Sequence, residues 1–519
     1  MNYRLGIDVG GTNTDAVIID DQFRLIAKVK TPTTTDVTTG IYNAIKSVLA
    51  QSSADRKDIR FAMLGTTHCT NAIVERKKLC KVGIVRMGRP ATESIMPMAD
   101  WPEALVQAVG GVFEITKGGY EFDGRELTPV DEDELRTVFR GLKGKIDSLA
   151  ICCVFASIRS DCEYRAMEIA QEELGNIPVS LSSEIGSLGL IERENATILN
   201  AALMNVARTV TEGFIDALKH EGVDNASVYL CQNDGTLMSA EYTKRYPILT
   251  VACGPTNSIR GASFLSQKRE AIVLDVGGTT SDIGVISKGF PRESSLAVDI
   301  GGARTNFRMP DLVSIGLGGG SIVREQDGEI TVGPDSVGYL LTEKAYVFGG
   351  DTLTATDIAV RLGMADIGDK SKVVFLDEAF ARRAMDKIME MVSQGIDKMK
   401  LSRDEVTLIL VGGGSVLIQD KIEGVSELIR PDSFDVANAL GSAIAQVSGE
   451  LDRIFTLDGK TREQVIEDAK NMAIDEAKKA GADPETIEIV ELEDIPLAYH
   501  PGNATRIKVK AAGDLLPVR

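Results

Sequence analysis

Two stretches of this 519-residue chain place the same residue types in the same order. Residues 7–19 read IDVGGTNTDAVII and residues 274–286 read LDVGGTTSDIGVI, so Asp, Val, Gly, Gly, Thr and a second Asp recur in register, 267 positions apart. In each copy an apolar, strand-like run enters the glycines and a β-rich run leaves them. Glycine lets the backbone turn sharply and lets N–H groups approach an anion with no Cβ in the way. Thr12 and Thr279 bring hydroxyls that can reach phosphate oxygens. Asp8 and Asp275, at strand ends, suit Mg²⁺, which keeps much of its hydration shell when bound. Two such hairpins facing one another would grip a nucleotide's phosphates from both sides. Gly10, Gly11, Thr12 and Asn13 would act on one side, and Gly277, Gly278, Thr279 and Thr280 on the other. A pair of structural β-turns is the alternative, and repetition in register weighs against it.

Two more glycine clusters stand out. Gly316-Leu317-Gly318-Gly319-Gly320 approaches a dinucleotide fingerprint, but Ser321 stands where the last glycine belongs; Gly318 and Gly319 join the cofactor-binding candidates. No GxxxxGK[ST] is present, which excludes a P-loop by pattern. Leu410 and Val411 lead into Gly412, Gly413, Gly414 and Ser415, with a helix expected over 416–422. That arrangement suits close approach to an adenine or ribose beside a helix N-terminus, with a tight strand-to-helix turn as the alternative. The small residues of 437–445 allow close helix packing at a hinge between lobes.

Strand-like and helix-like runs alternate along most of the chain, which reads as α/β. Three consecutive strands are expected at 5–9, 14–19 and 25–30, then a helix at 37–49. Further strands are expected at 61–64, 82–85, 148–154, 227–230, 271–276, 282–286 and 407–411, and long helices at 192–219 and 377–400. Residues 87–130, richer in Gly, Pro and Met and holding Trp101, read as an irregular insertion. The tail reads as a charged helix, 462–480, and two strands, 486–493 and 504–511, a small α+β appendage. Expected segments are therefore 1–190, an N-terminal lobe, 191–455, a second lobe, and 456–519, the appendage.

The net charge of −19 disfavours nucleic-acid and anionic-membrane partners, so an anionic ligand needs a local device. No apolar run approaches the ~20 residues needed to span a bilayer. The seven cysteines form no CxxC pair and His68, His220 and His500 are far apart, which argues against zinc and fits a reducing cytoplasm.

Taken in order, the two hairpins, the adenosine glycines and the Ala/Gly helix resemble the actin, sugar kinase and Hsp70 ATPase superfamily. Finer motifs resemble one branch, the hydantoinase/5-oxoprolinase family of hydantoin-utilisation A type. They include Gly65-Thr66-Thr67 with Thr70 to Arg76, Glu192-Arg193 with Asn195, Asn200 and Ala201, Cys253-Gly254-Pro255 with Arg260-Gly261-Ala262, Ile315 to Ile322 and Thr354 to Asp357. The resemblance implies a two-lobed actin-like ATPase with ribonuclease H-like lobes around a nucleotide cleft. It implies ATP and Mg²⁺, with Asp8 and Asp275 as metal residues and, with Thr12 and Thr279, as the catalytic set. ATP would phosphorylate the carbonyl oxygen of a cyclic amide such as a hydantoin or 5-oxoproline, turning it into a leaving group. Thr66, Thr67, Asn71, Glu75 and Arg76 would line the substrate site, although residues 75–78 also read as a solvated helix end. Partners implied are a B-type hydrolase subunit and a homo-oligomer. A phosphotransferase or carboxylase subunit for another small carbonyl compound, and a non-enzymatic nucleotide switch, are the alternatives. Two departures are visible. Val313 stands where many members have His, and Gly254-Pro255-Thr256-Asn257-Ser258 replaces the usual Gly-Pro-Ala-Gly-Gly.

Overall fold

The computed structural model describes residues 2–34, 37–294, 297–457, 459–497 and 504–516, so His500 lies outside the described residues. Its largest sheet has nine strands. They are β1 (Tyr3–Val9), β2 (Asn13–Asp20), β3 (Leu25–Pro32), β4 (Ile59–Thr66), β9 (Ser227–Cys231), β10 (Leu237–Ser239), β21 (Val447–Thr456), β22 (Glu488–Pro496) and β23 (Ala504–Gly513). Their spatial order is 22-23-21-10-9-4-1-2-3. A second sheet orders β13 (Phe290–Pro291), β12 (Ser281–Ser287), β11 (Ala271–Val276), β19 (Val406–Val411) and β20 (Val425–Ile429), with β16 (Leu312–Ile315) on the far side of β12. A third is parallel and orders β6 (Val112–Lys117), β5 (Val82–Arg89), β7 (Ser148–Cys153) and β8 (Val179–Leu181). Two small hairpins complete the set, β14–β15 (Val298–Ile300, Ala303–Thr305) and β17–β18 (Ser321–Gln326, Glu329–Ser336).

The sequence repeat is also a structural repeat. In the nine-stranded sheet β3, β2 and β1 are antiparallel neighbours, and β4 and β9 follow in parallel. In the second sheet β13, β12 and β11 are antiparallel, and β19 and β20 follow in parallel. Each half thus builds the same five-strand order around its DxGGT hairpin, as expected for a two-lobed actin-like α/β fold. The apolar stripe of the Val37–Gln51 helix, Ile41, Ala44, Ile45 and Val48, covers β1, β2 and β4 through Leu5, Ile7, Ile18 and Leu64. In the second half the Glu378–Met399 helix plays that part, with Met385, Ile388, Val392 and Ile396 against Leu274, Ile283 and Leu408.

Three expectations need correction. Residues 87–130 are not irregular throughout: they hold the helix Glu103–Val109 and strand β6 of the parallel sheet, and Trp101 is buried with Met98 and Leu105. The tail is not a separate appendage. β22 and β23 continue the nine-stranded sheet through β21, and the Arg462–Lys479 helix packs Val465, Ala469, Ala473 and Ala477 onto it. The expected segments 1–190, 191–455 and 456–519 therefore do not have separate sheets. Finally, no helix spans 416–422. A short 3₁₀ turn, Gly413–Leu417, ends at an extended Ile418. Consecutive Leu417 and Ile418 are both buried in the core, and so short a segment gains little from helix formation.

Candidate functional site

The two hairpins close alike. Gly10 N–H donates to the Asn13 carbonyl and Gly277 N–H to the Thr280 carbonyl, both at 2.9 Å. The tips meet: Thr12 Oγ1 lies 3.5 Å from Thr279 Oγ1. A Cβ on Gly278 would sit 2.8 Å from Thr12 Oγ1, so glycine there is what permits the contact. Gly11 and Thr280 are exposed at the tips.

Below the tips, the strand register pairs Asp8 with Asp15 and Asp275 with Asp282. Asp8 is 3% exposed and accepts from Asn257 Nδ2 at Oδ1 (2.9 Å) and from Asn438 Nδ2 at Oδ2 (3.1 Å). Asp275 accepts from Ser258 Oγ at 2.5 Å, Asp15 pairs with Lys30 at 2.7 Å, and Asp282 accepts from Ser314 Oγ. Burial pushes all four carboxyls above the ordinary range, Asp8 and Asp282 to about 6, and the neighbouring aspartates add to the effect on Asp8 and Asp282. A cation among them would relieve that cost. Among the described residues, however, no three His, Cys, Asp or Glu side chains converge as a direct metal cage. Asp8 and Asp275, one behind each hairpin, are the residues that could hold a cation through its water shell.

The other predicted residues separate into two groups. Thr66 and Thr67 flank the first hairpin, because β4 pairs with β1 in parallel and the Val9 carbonyl accepts from Thr67 Oγ1 at 3.2 Å. Asn71 lies one turn on and reaches Thr67 Oγ1 at 3.5 Å. Thr66 is engaged by His68, whose Nδ1 meets the threonine hydroxyl. Burial, with Lys78 nearby, lowers His68 to about 4. Glu75 and Arg76 lie at the other end of the His68–Glu75 helix, about 12 Å away along its axis. Both are exposed, and Glu75 pairs with Lys77 at 3.4 Å, so this part of the expected substrate lining is a solvated helix end. His68 does not pair with Cys69, whose thiol is buried and pushed up to about 11.

The glycine clusters buttress the second hairpin. Gly319 and Gly320 N–H groups donate to the Gly277 and Gly278 carbonyls at 3.0 and 2.7 Å, and Gly318 N–H to Ser321 Oγ at 2.8 Å. These amides are thus already taken, so Gly318 and Gly319 do not offer a phosphate cradle. Gly412 (φ +88) and Gly414 pack against Asp275, Val276 and Gly277, where any Cβ would come within 2.2–2.6 Å. Around Gly413 a Cβ would meet nothing within 4 Å, so this glycine faces open space.

Sequence reasoning missed Asp15, Asp282, Asn257, Ser258 and Asn438. The second Asp of each repeat was the signal for the first two. Asn257 and Ser258 were visible only as a departure from the family pattern, and Asn438 as an isolated amide in an Ala-rich run. Val313 pairs with Ile283, one residue from Asp282, so the position where many members have His lies beside the second hairpin.

Several known proteins are similar to this chain. Caprolactamase subunit alpha of Pseudomonas jessenii is 28% identical over 70% of this chain and 55% of its own length. The acetophenone carboxylase gamma subunit of Aromatoleum aromaticum is 27% identical over 69% of this chain and 53% of its own length. The chain thus matches about half the length of each of these relatives. The crystal structure of the ATP-dependent caprolactamase from Pseudomonas jessenii superposes with a TM-score of 0.77 at 20% identity, covering 99% of this chain and 88% of that one, which shows a shared fold. Among the described residues no helix is long and apolar enough to cross a membrane. The hydantoinase/oxoprolinase N-terminal region matches residues 4–174 and the hydantoinase/oxoprolinase model residues 193–366, and the chain belongs to that family.

Proposed function

We propose that the chain is the ATP-handling component of an enzyme that activates a cyclic amide by phosphorylating its carbonyl oxygen. The observation that carries this reading is the pair of facing hairpins, with hydroxyls 3.5 Å apart at their tips and an aspartate behind each, Asp8 buried and Asp275 half-buried. The γ-phosphate would lie against the Thr12 and Thr279 hydroxyls at the hairpin tips, and the substrate beside Thr66, Thr67 and Asn71. Mg²⁺, held through water by Asp8 and Asp275, would supply charge neutralisation for the transferring phosphoryl group. The amide oxygen attacks the γ-phosphorus as the bond to ADP breaks. Water then adds to the activated carbon, the ring nitrogen leaves with a proton, and a second water releases inorganic phosphate. The relatives named as subunits support a complex; in this reading a second chain carries out the hydrolytic steps.

Mg²⁺-dependent ATP hydrolysis by the purified chain, alone and with a co-expressed partner subunit, tests this. Stimulation by hydantoin, 5-oxoproline or a lactam is the expected result. Failure to bind Mg-ATP would sink the nucleotide reading. The carboxylase relative favours one second reading, phosphorylation of a ketone. It predicts stimulation by a ketone with bicarbonate and none by the cyclic amides.

A further inference from the structure

Asn257 and Asp8 belong to different halves of the molecule. Asn257 sits in the first turns of the Cys253–Ser266 helix, which lies on the second sheet: Ile259 and Ala262 pack with Val273, Ile286, Ile409 and Val411. Asp8 is in β1 of the nine-stranded sheet. Its second amide partner, Asn438, stays on its own side, on the Ala437–Ile444 helix that packs Ala439 and Ala443 against Val17 and Ile19. Asn257 crosses to Asp8, and Cys253, one turn earlier on the same helix, crosses to β4, its Sγ accepting from the Thr66 N–H at 3.4 Å. Its neighbour Ser258 holds Asp275, so adjacent residues on one helix grip one carboxylate from each repeat.

Glycines make room for the crossing. A Cβ on Gly65 would lie 2.2 Å from both Asn257 Nδ2 and Asp8 Oδ1. One on Gly441 would lie 1.9 Å from the Asn257 carbonyl oxygen, and one on Gly261 at 1.9 Å from that of Ala437. The two helices therefore touch backbone to backbone at the point where Asn257 passes between the halves. Asn257 and Ser258 are each 1% exposed, so contact with a bound molecule is not their part.

We propose that Asn257 is a positioning residue that, with the helix contact around it, sets the spacing of the two hairpins by tying Asp8 to the helix that also holds Asp275. Its functional meaning rests on the hairpins being the nucleotide site; its geometry does not. Closure on a nucleotide would then move Asp8 and Asp275 as a pair fixed to one helix. Loss of the bond would release the first hairpin's Asp8 from the helix that holds Asp275 and loosen the spacing of the two tips.

The test measures the distance between spin labels on the full chain without nucleotide. Labels go on Asp21→Cys and Glu405→Cys, exposed positions beside the two large sheets; the seven native cysteines are buried and do not compete. The wild-type background gives one narrow distribution. Asn257→Asp keeps the shape but sets a carboxylate against Asp8, and at about pH 8 it lengthens and broadens the distribution. Adding Asp8→Asn exchanges donor and acceptor across the same contact and returns the narrow distribution, which a merely disruptive substitution would not do. Asn257→Ala, which removes the bond without adding charge, broadens the distribution less. An unchanged distribution in both single variants, or no return in the exchanged pair, overturns the proposal. Failure of the wild type to bind Mg-ATP would instead strike the nucleotide reading and leave the distances as measured.

Discussion

Thr12 and Thr279 meet hydroxyl to hydroxyl at 3.5 Å although 267 residues separate them in the chain. Each is the fifth residue of a DxGGT copy, so the two copies present equivalent atoms to one small volume. Gly278 allows that approach. In Gly278→Ala the new Cβ meets Thr12 Oγ1 at 2.8 Å and Cγ2 at 2.9 Å, and the tips must part. We expect Mg-ATP affinity, measured by calorimetry, to fall at least tenfold, while stability drops by only about 1–3 kcal/mol. Unchanged affinity would mean that the tips do not bind the phosphates.

Asp8→Asn and Asp275→Asn should each lower ATP turnover by on the order of 10²-fold or more, because in the proposed function each removes a carboxylate that would hold Mg²⁺ beside the transferring phosphoryl group. Folding should survive. The amide stays polar, and a carboxylate held at a desolvation cost is gone. Thermal melting and steady-state turnover, taken together, check this. Wild-type turnover in either variant contradicts a site shared between the hairpins.

His68 gives a pH signature. Burial lowers its folded value to about 4, below the value of about 6.5 expected in the unfolded chain. Between those values the unfolded state binds the extra proton. His68 therefore costs stability as pH falls from about 6.5 to about 4, by up to roughly 3 kcal/mol, and costs none above that window. The difference in urea stability between wild type and His68→Gln across this range isolates the effect from the carboxylates, which titrate in both proteins. A flat difference would show that His68 is not held neutral.

The docking of the C-terminal strands rests on buried charge. Lys510 on β23 is 3% exposed and lies 2.5 Å from Asp234 and 3.5 Å from Glu293. Arg308 and Lys508 join the same network through Glu293 and Glu491. Lys510→Met leaves Asp234 without its cation and should cost about 3–5 kcal/mol. Adding Asp234→Asn should recover part of that loss. If Lys510→Met melted like the wild type, β23 would not depend on this contact.

The close crossing of helices Cys253–Ser266 and Ala437–Ile444 is tested by Gly261→Ala. The new Cβ would fall 1.9 Å from the Ala437 carbonyl oxygen, a clash with backbone that no side-chain rotation relieves. A loss of at least 1–3 kcal/mol is expected in chemical denaturation.

The sequence by itself determined the hairpins. Asp8 to Thr12 and Asp275 to Thr279 are local devices, closed by hydrogen bonds between residues three apart, and their repetition already implied two similar halves. The strands around them and the long helices were legible for the same reason, since apolar period and turn residues act within a few positions. What holds the aspartates was not legible. Asn257 and Asn438 reach Asp8 across 249 and 430 residues, and an amide in a helix carries no mark of the carboxylate it will meet. Nor could the tail's strands announce their partner, because the N–H and C=O groups of an edge strand are the same whatever sheet they extend. Nothing in the sequence around Lys510 and Arg308 marks the carboxylates that the fold closes around them. Tertiary structure alone decided that the tail completes the first sheet, that Gly318 and Gly319 brace a hairpin, and that Glu75 and Arg76 point into solvent. These outcomes depend on which surfaces meet, and that is fixed by packing across hundreds of residues rather than by neighbours in the chain.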